Sequence, residues 1–190
     1  MIESLNTLDT RLFLILNGWH NSFFDPIMYW FSDKLIWIPM YLLIAFYIVK
    51  HYKRQGIYIL LFIGLVILLC DQTASLLIKN IVHRLRPSHE PALAGLVHLS
   101  KAGPGGLYGF VSSHAANAFG VATFLAFSLN ARFKILTYWL FVWALLVSYS
   151  RIYNGVHYPG DVAGGIIVGI FIGWMLARVY VSVINRRLET

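Results

Sequence analysis

Charge is what this sequence has least of. Aspartate, glutamate, lysine and arginine make up 12% of its 190 residues, while hydrophobic residues make up 58%. A soluble domain of ordinary composition carries about 25% charged residues. Too few polar side chains remain to cover a water-facing surface, which excludes a soluble globular fold. Negative charge is scarcer still, with 8 acidic against 15 basic residues and a net charge of +7. No long basic tract or basic face with interleaved aromatics is present, so nucleic acid is not the partner for that charge. Basic loops beside a membrane and a cationic pocket for phosphate account for it better. The single cysteine, Cys70, lies inside an apolar run and excludes an internal disulfide. The N-terminus, with Glu3 and Asp9, lacks the basic start and cleavage pattern of a signal peptide. No repeat or low-complexity linker divides the chain, so a single domain over residues 1–190 is expected.

What is present is a series of apolar runs. A spanning helix needs ~20 mostly apolar residues. Five stretches approach that length: Lys34–Lys50, Ile57–Lys79, Ser113–Leu129, Ile135–Ser150 and Asp161–Ile184. Pro39 predicts a kink in the first. Upstream, Leu5, Leu8, Leu12 and Leu16 recur at helical spacing, so Leu5–Asn17 reads as an amphipathic helix lying in the interface and ending at Gly18. Asp25-Pro26 reads as a cap and first-turn proline opening a short helix to Phe31. The expected fold is therefore all-α: a polytopic transmembrane bundle of five to six membrane helices plus an N-terminal interfacial helix. Residues 1–33 would be interfacial and peripheral, and 34–184 the transmembrane core. Two columns of small residues, Gly165/Gly169/Gly173 and Ala118/Ala122/Ala126, would let helices approach closely.

Loop charge sets the orientation. Lys50, Lys53 and Arg54, then Arg132 and Lys134, then Arg178, Arg186 and Arg187 share one side by parity, which the positive-inside rule places in the cytoplasm. The opposite loops hold Arg84, Arg86, Lys101 and Arg151. Basic residues on that side conflict with the rule unless they serve a ligand.

Parity also gathers the unusual polar residues. The end of span two, the start of three, the end of four and the start of five meet on one face. There lie segments 79–87, 112–114 and 150–161. Lys79, Arg86 and Arg151 supply positive charge for a dianion such as phosphate, and arginine's planar fork matches two phosphate oxygens. Ser112-Ser113 reads as a helix start, where free backbone N–H groups bind anions. His114 and His157 can attack or donate a proton near neutral pH. Asp161, four residues after His157, can accept its ring N–H and fix the tautomer. Taken singly, Lys79 and Arg86 read as interfacial anchors and His114 as a helix cap. Asp71, inside span two, is a costly charge that calls for a partner, with Ser75 as a bridge.

These spacings resemble the three motifs of the type 2 phosphatidic acid phosphatase family. Lys79, six residues, then Arg86-Pro87 looks like the first; Ser112-Ser113-His114 looks like the second; Ser150-Arg151, five residues, His157, three residues, Asp161 matches the third. Val111 and Ser113 depart from the proline and glycine usual in the second motif. The resemblance implies a membrane lipid phosphatase in which His157 is the nucleophile, forming a phosphohistidine. Asp161 would orient it, and His114 would protonate the leaving oxygen and then activate water. Lys79, Arg86, Arg151, Ser112 and Ser113 would hold the phosphoryl oxygens. It implies no metal and no other cofactor, a membrane lipid phosphate as substrate, and a bacterial inner-membrane protein with its site facing outward. The short loop Ser88–Gly109 favours undecaprenyl pyrophosphate over a lipid with a large sugar head group. The alternatives are a lipid A phosphatase, a phosphatidylglycerol phosphate or phosphatidic acid phosphatase, and a non-enzymatic anionic-lipid binder. Hydrolysis at saturating substrate is expected to persist in EDTA; complete loss restored by magnesium would contradict this reading.

Overall fold

Glycines, prolines and one left-handed residue set most helix boundaries in the computed structural model, which describes residues 2–185. Helix α1 spans Ile2–Gly18 and α2 Phe24–Ser32. A 3-10 turn at Leu35–Trp37 leads into α3, Ile38–Tyr52. Helix α4 runs over Arg54–Val82, with a π-helical stretch at Thr73–Ile78, and stops at His83 in the left-handed conformation. Helices α5, α6 and α7 span Ser113–Ser128, Lys134–Tyr153 and Pro159–Val179. Arg186 and Arg187 lie outside the described residues.

Among the described residues, four helices are long and apolar enough to cross a membrane: Leu35–Tyr52, Arg54–Val82, Ala131–Tyr153 and Pro159–Ser182. The all-α membrane bundle expected from the sequence is present, but the count of five to six membrane helices is not reached on this measure. The stretch expected as Ser113–Leu129 folds as α5, whose 16 residues rise only ~24 Å at ~1.5 Å each. It is nevertheless the centre of the bundle, packed against α4, α6 and α7. Its small residues are buried rather than presented to lipid.

The glycine column explains how α7 meets α5. A Cβ on Gly165, Gly169 or Gly173 would collide with the carbonyl oxygens of Ser112, Ala116 and Gly120 respectively. On the neighbouring side, Gly120 leaves room for Cys70 and Val66 of α4. Three helix backbones therefore approach closely around α5. Below this seam Ile59, Val66, Phe124, Ile172 and Tyr180 form the main apolar core. Tyr180, which suits an interfacial belt on sequence grounds, is buried there against Phe62 and Phe124.

Two local expectations are corrected. Pro39 occupies the first turn of α3, where its missing N–H costs no hydrogen bond, so it starts the helix rather than kinking it. Asp25 does not cap α2. Asn21 does, with its side-chain oxygen accepting the N–H groups of Phe23 and Phe24.

Helix α1 is two-sided. Leu5, Leu8, Leu12 and Ile15 are exposed on its outer face. Phe13 and Asn17 are buried, and Phe13 packs edge-on against Tyr158 at 5.4 Å between ring centroids. The Asn17 amide donates to the carbonyls of Ile152 and Tyr153 at 3.2 and 2.8 Å. These bonds fasten α1 to the end of α6.

If the seam fixes the bundle, a single methyl there must be costly. Gly169→Ala is expected to destabilise the protein by ~1–3 kcal/mol through overpacking. Gly64→Ala should be neutral or better, because nothing lies within 4 Å of a Cβ at that position. Thermal unfolding of the two variants in detergent measures the difference.

Candidate active site

The seam sets the site because its upper end is made of site residues. The Ser112 N–H donates to the main-chain carbonyl of Asp161 at 2.9 Å, joining the start of α5 to the first turn of α7. Ser112 precedes α5 in an extended conformation, leaving the first N–H groups of the helix without intrahelical partners. Its hydroxyl is buried and has no hydrogen-bond partner among the described residues.

Asp161 is the hub. Its side chain is fully buried. One carboxylate oxygen, Oδ2, accepts the Tyr158 N–H at 3.0 Å and faces His157 Nδ1 at 3.3 Å. The other, Oδ1, accepts from Arg84 Nη1 at 2.8 Å. With Nδ1–H given to Asp161, the lone pair of the His157 ring is left on Nε2. Burial first, and then the charges of Arg86, Arg151 and Lys79, hold His157 well below the usual histidine range. The ring is therefore neutral through the physiological range.

The three expected cations converge on this point. Lys79 donates to Ser113 Oγ at 3.1 Å, and Ser75 Oγ sits 3.0 Å from the same oxygen. Ser75 thus serves Ser113, not Asp71 as the sequence suggested. Arg86 is held from both ends of its loop. Its backbone N–H donates to the Leu107 carbonyl at 3.0 Å and its Nε to the Tyr108 carbonyl at 3.1 Å. Burial lowers the Arg86 pKa and Asp161 opposes that shift. Arg151, also buried, donates to Ser32 Oγ of α2 while its Nε has no partner. His114 lies within electrostatic reach of Arg151, Lys34 and His157, beside the Ser32 backbone. Every site residue expected from the sequence is thus in one cluster.

Sequence reasoning missed the supports. Arg84 bridges Asp161 and Asp9, with Nη2 2.7 Å from Asp9 Oδ2, and its guanidinium lies 4.1 Å from the Tyr158 ring centroid. Asp9 also accepts the Gly160 N–H at 2.8 Å. A legible signal existed: Asp9, Phe13 and Asn17 fall four apart and define the inward face of α1. Reading the helix from its leucines put the lipid side first and hid that face. Ser32 carried no signal of its own.

Next to His114 a cavity of about 460 Å³ opens into the bundle. Ser32, Lys34 and His114 line one part, while Trp37, Val121 and Trp143 line its apolar part. From His114 to Leu125 it follows α5 for ~16 Å at ~1.5 Å per residue. The loop before α5 closes over the other side. It is tied by a bridge between Leu85 and Tyr108, by Gly109 N–H to the Arg84 carbonyl at 2.8 Å and by Ser88 Oγ to the Pro104 carbonyl at 2.8 Å.

Known proteins share this chain's sequence and fold. The profile of the PAP2 superfamily matches residues 55–184. The lipid A 4'-phosphatase of Bacteroides thetaiotaomicron is 42% identical over 178 residues, covering 92% of this chain and 78% of that protein. The lipid A 4'-phosphatase of Porphyromonas gingivalis is 34% identical over 188 residues, covering 98% and 79%. Undecaprenyl-diphosphatase BcrC of Bacillus subtilis is 27% identical over 167 residues, covering 84% and 76%. Among solved structures, the transmembrane phosphatidylglycerolphosphate phosphatase of B. subtilis superposes with a TM-score of 0.68 at 24% identity, covering 96% of this chain and 89% of that one, a likeness of fold.

The Arg84 bridge has a testable cost. Arg84→Met leaves the buried Asp161 carboxylate short of its cation and frees the 157–161 turn to shift. Turnover is expected to fall on the order of 10²-fold, as for a small misplacement of reacting groups. Asp9→Asn, which keeps an acceptor for Gly160, should cost much less. Steady-state phosphate release compares them.

Proposed function

Because the chain belongs to the PAP2 superfamily, a multi-pass membrane lipid phosphatase and hydrolase of phosphoric esters, we propose that it removes the 4'-phosphate of lipid A through a phosphohistidine on His157. The observation that carries the chemistry is the pairing of a buried, neutral His157 with Asp161 beneath converging cations. The substrate choice rests on the two lipid A 4'-phosphatases at 42% and 34% identity, against 27% for the undecaprenyl-diphosphatase. Loop length alone favoured undecaprenyl pyrophosphate, but a short loop leaves the outer side of the site open to a bulky sugar as readily as it fails to enfold one.

The reaction follows from the arrangement. The phosphoryl group sits at the α5 N-terminus, its oxygens held by Lys79, Arg86, Arg151, Ser112 and the Ser113 backbone. His157 Nε2 attacks phosphorus while Asp161 takes up the charge developing on the ring through Nδ1–H. His114, on the cavity side, donates a proton to the departing sugar oxygen, a poor leaving group that needs one. Water activated by the same ring then releases phosphate and restores His157. The apolar cavity beside His114 suits an acyl chain of the substrate, so the lipid anchors itself in the bundle while its phosphate reaches the cations.

We assign the site to the outer face of the bacterial inner membrane. Lys50, Lys53, Arg132 and Lys134 cluster at the far end of the bundle, as the positive-inside rule requires of a cytoplasmic face. The basic residues of the outer loops are accounted for by the site itself, since Arg84, Arg86 and Arg151 are engaged there. Helix α5 is assigned as a fifth membrane helix, its short length offset by its central place. Residues 1–33 form a peripheral cover resting its leucines in the interface, and the whole chain is one domain.

A panel of purified lipid phosphates in detergent decides the substrate. Lipid A bearing a 4'-phosphate is expected to give the highest kcat/KM, and His157→Ala should release no phosphate from any member. A preference for undecaprenyl pyrophosphate overturns the substrate, and equal release by both proteins overturns the histidine chemistry.

A further inference from the structure

Behind Arg151, on the outer end of α6, three side chains that the phosphatase chemistry does not use meet at one point. They are His20 in the turn after α1, Asp25 in the first turn of α2 and His98 in the middle of the loop before α5. One ligand-type atom of each lies within 4.8 Å of the other two. His98 Nε2 is 3.1 Å from Asp25 Oδ1. The rings of His20 and His98 stack with centroids 3.8 Å apart and planes 3° from parallel.

The spacing is that of donors converging on a metal ion. Zinc holds imidazole nitrogen and carboxylate oxygen at ~2.0–2.2 Å, which puts two such donors ~3.2–3.4 Å apart at a tetrahedral angle. His98 and Asp25 stand close to that separation. Two imidazoles with one carboxylate select a borderline transition metal over calcium or magnesium, which prefer oxygen throughout.

The donors are also held from behind, as ligands of a real site usually are. Asp25 Oδ1 accepts the Tyr153 hydroxyl at 2.7 Å. The backbone of His98 is gripped by buried Asn17 on both sides, its N–H donating to Oδ1 at 2.8 Å and its carbonyl accepting from Nδ2 at 3.0 Å. Neither Tyr153 nor Asn17 is needed for phosphate binding, yet both are buried and aimed at this cluster.

We propose that His20, Asp25 and His98 bind one zinc-class divalent ion, with water in the remaining position, and that the ion tethers the loop before α5 to the α1–α2 turn. The tether reaches the active site through backbone packing. The His98 carbonyl lies against Gly155, where a Cβ would approach it to 2.5 Å, and Gly155 is two residues from His157. The ion takes no part in phosphoryl transfer; it restrains the loop that carries Arg86 at one end and Ser112 at the other.

The test uses the full-length, tag-free protein in detergent, stripped with EDTA, desalted and titrated with zinc chloride. Calorimetry and metal analysis are expected to find one zinc per chain. His20→Ala and Asp25→Asn are each expected to weaken binding by at least about 10-fold. Asp25→Asn keeps an acceptor for Tyr153, and His20 is exposed, so both variants should unfold like wild type without zinc. Zinc should also slow trypsin cleavage after exposed Lys101 in wild type and leave it unchanged in His20→Ala. Absence of stoichiometric binding, or equal affinity in wild type and His20→Ala, overturns the proposal and leaves a stacked histidine pair only. Both readouts are independent of turnover, so failure here does not touch the phosphatase reading.

Discussion

The contact between the α7 glycines and the α5 carbonyls is the constraint on which the rest of this molecule depends. Gly165, Gly169 and Gly173 let two helix backbones touch, in register, with no side chain between them. That register places the first turn of α7 beside the first turn of α5. Asp161 can then accept from Ser112 through its main chain and from His157, Tyr158 and Arg84 through its side chain. In a bilayer apolar burial does not drive helices together, so close packing has to do it. The catalytic geometry is thus the terminal feature of a packing seam that runs through the interior of the bundle.

The site's electrostatics follow from the same economy. Lys79, Arg86 and Arg151 are brought together where water is scarce, and the carboxylate beneath them, Asp161, is already shared with Arg84. Such a cluster is uncomfortable alone and well matched to a dianionic ligand, whose binding relieves the repulsion. Keeping His157 neutral serves the same end, since a charged ring there would add to the repulsion and lose its lone pair. Asp9 and α1 close the arrangement from outside, so the N-terminal helix is part of the active-site scaffold as well as a cover.

What the sequence made legible was the chemistry, and what it hid was the scaffolding. Lys79, Arg86, Ser112, Ser113, His114, Arg151, His157 and Asp161 could be named because charge inside an apolar chain is conspicuous and their spacing matches known motifs. The bundle and the glycine column followed from hydropathy and periodicity. Asp9 and Arg84 stayed hidden because an ion pair 75 residues apart has no local signature. Asp25 misled because aspartate before proline is a common cap, while its side chain was recruited by Tyr153 and His98. Pro39 misled because a proline's effect depends on which turn it occupies. The size of the substrate's head group is a property of the space outside the site, and loop length is a poor measure of it.

The most direct test of the chemistry is to catch the covalent intermediate. Wild-type protein is mixed with lipid A labelled in its 4'-phosphate, quenched with base within the first turnover and digested for mass spectrometry. The expected result is a base-stable, acid-labile phosphoryl group on His157. A label on His114 instead, or single-turnover hydrolysis with no phosphoprotein at any time point, would contradict nucleophilic attack by His157.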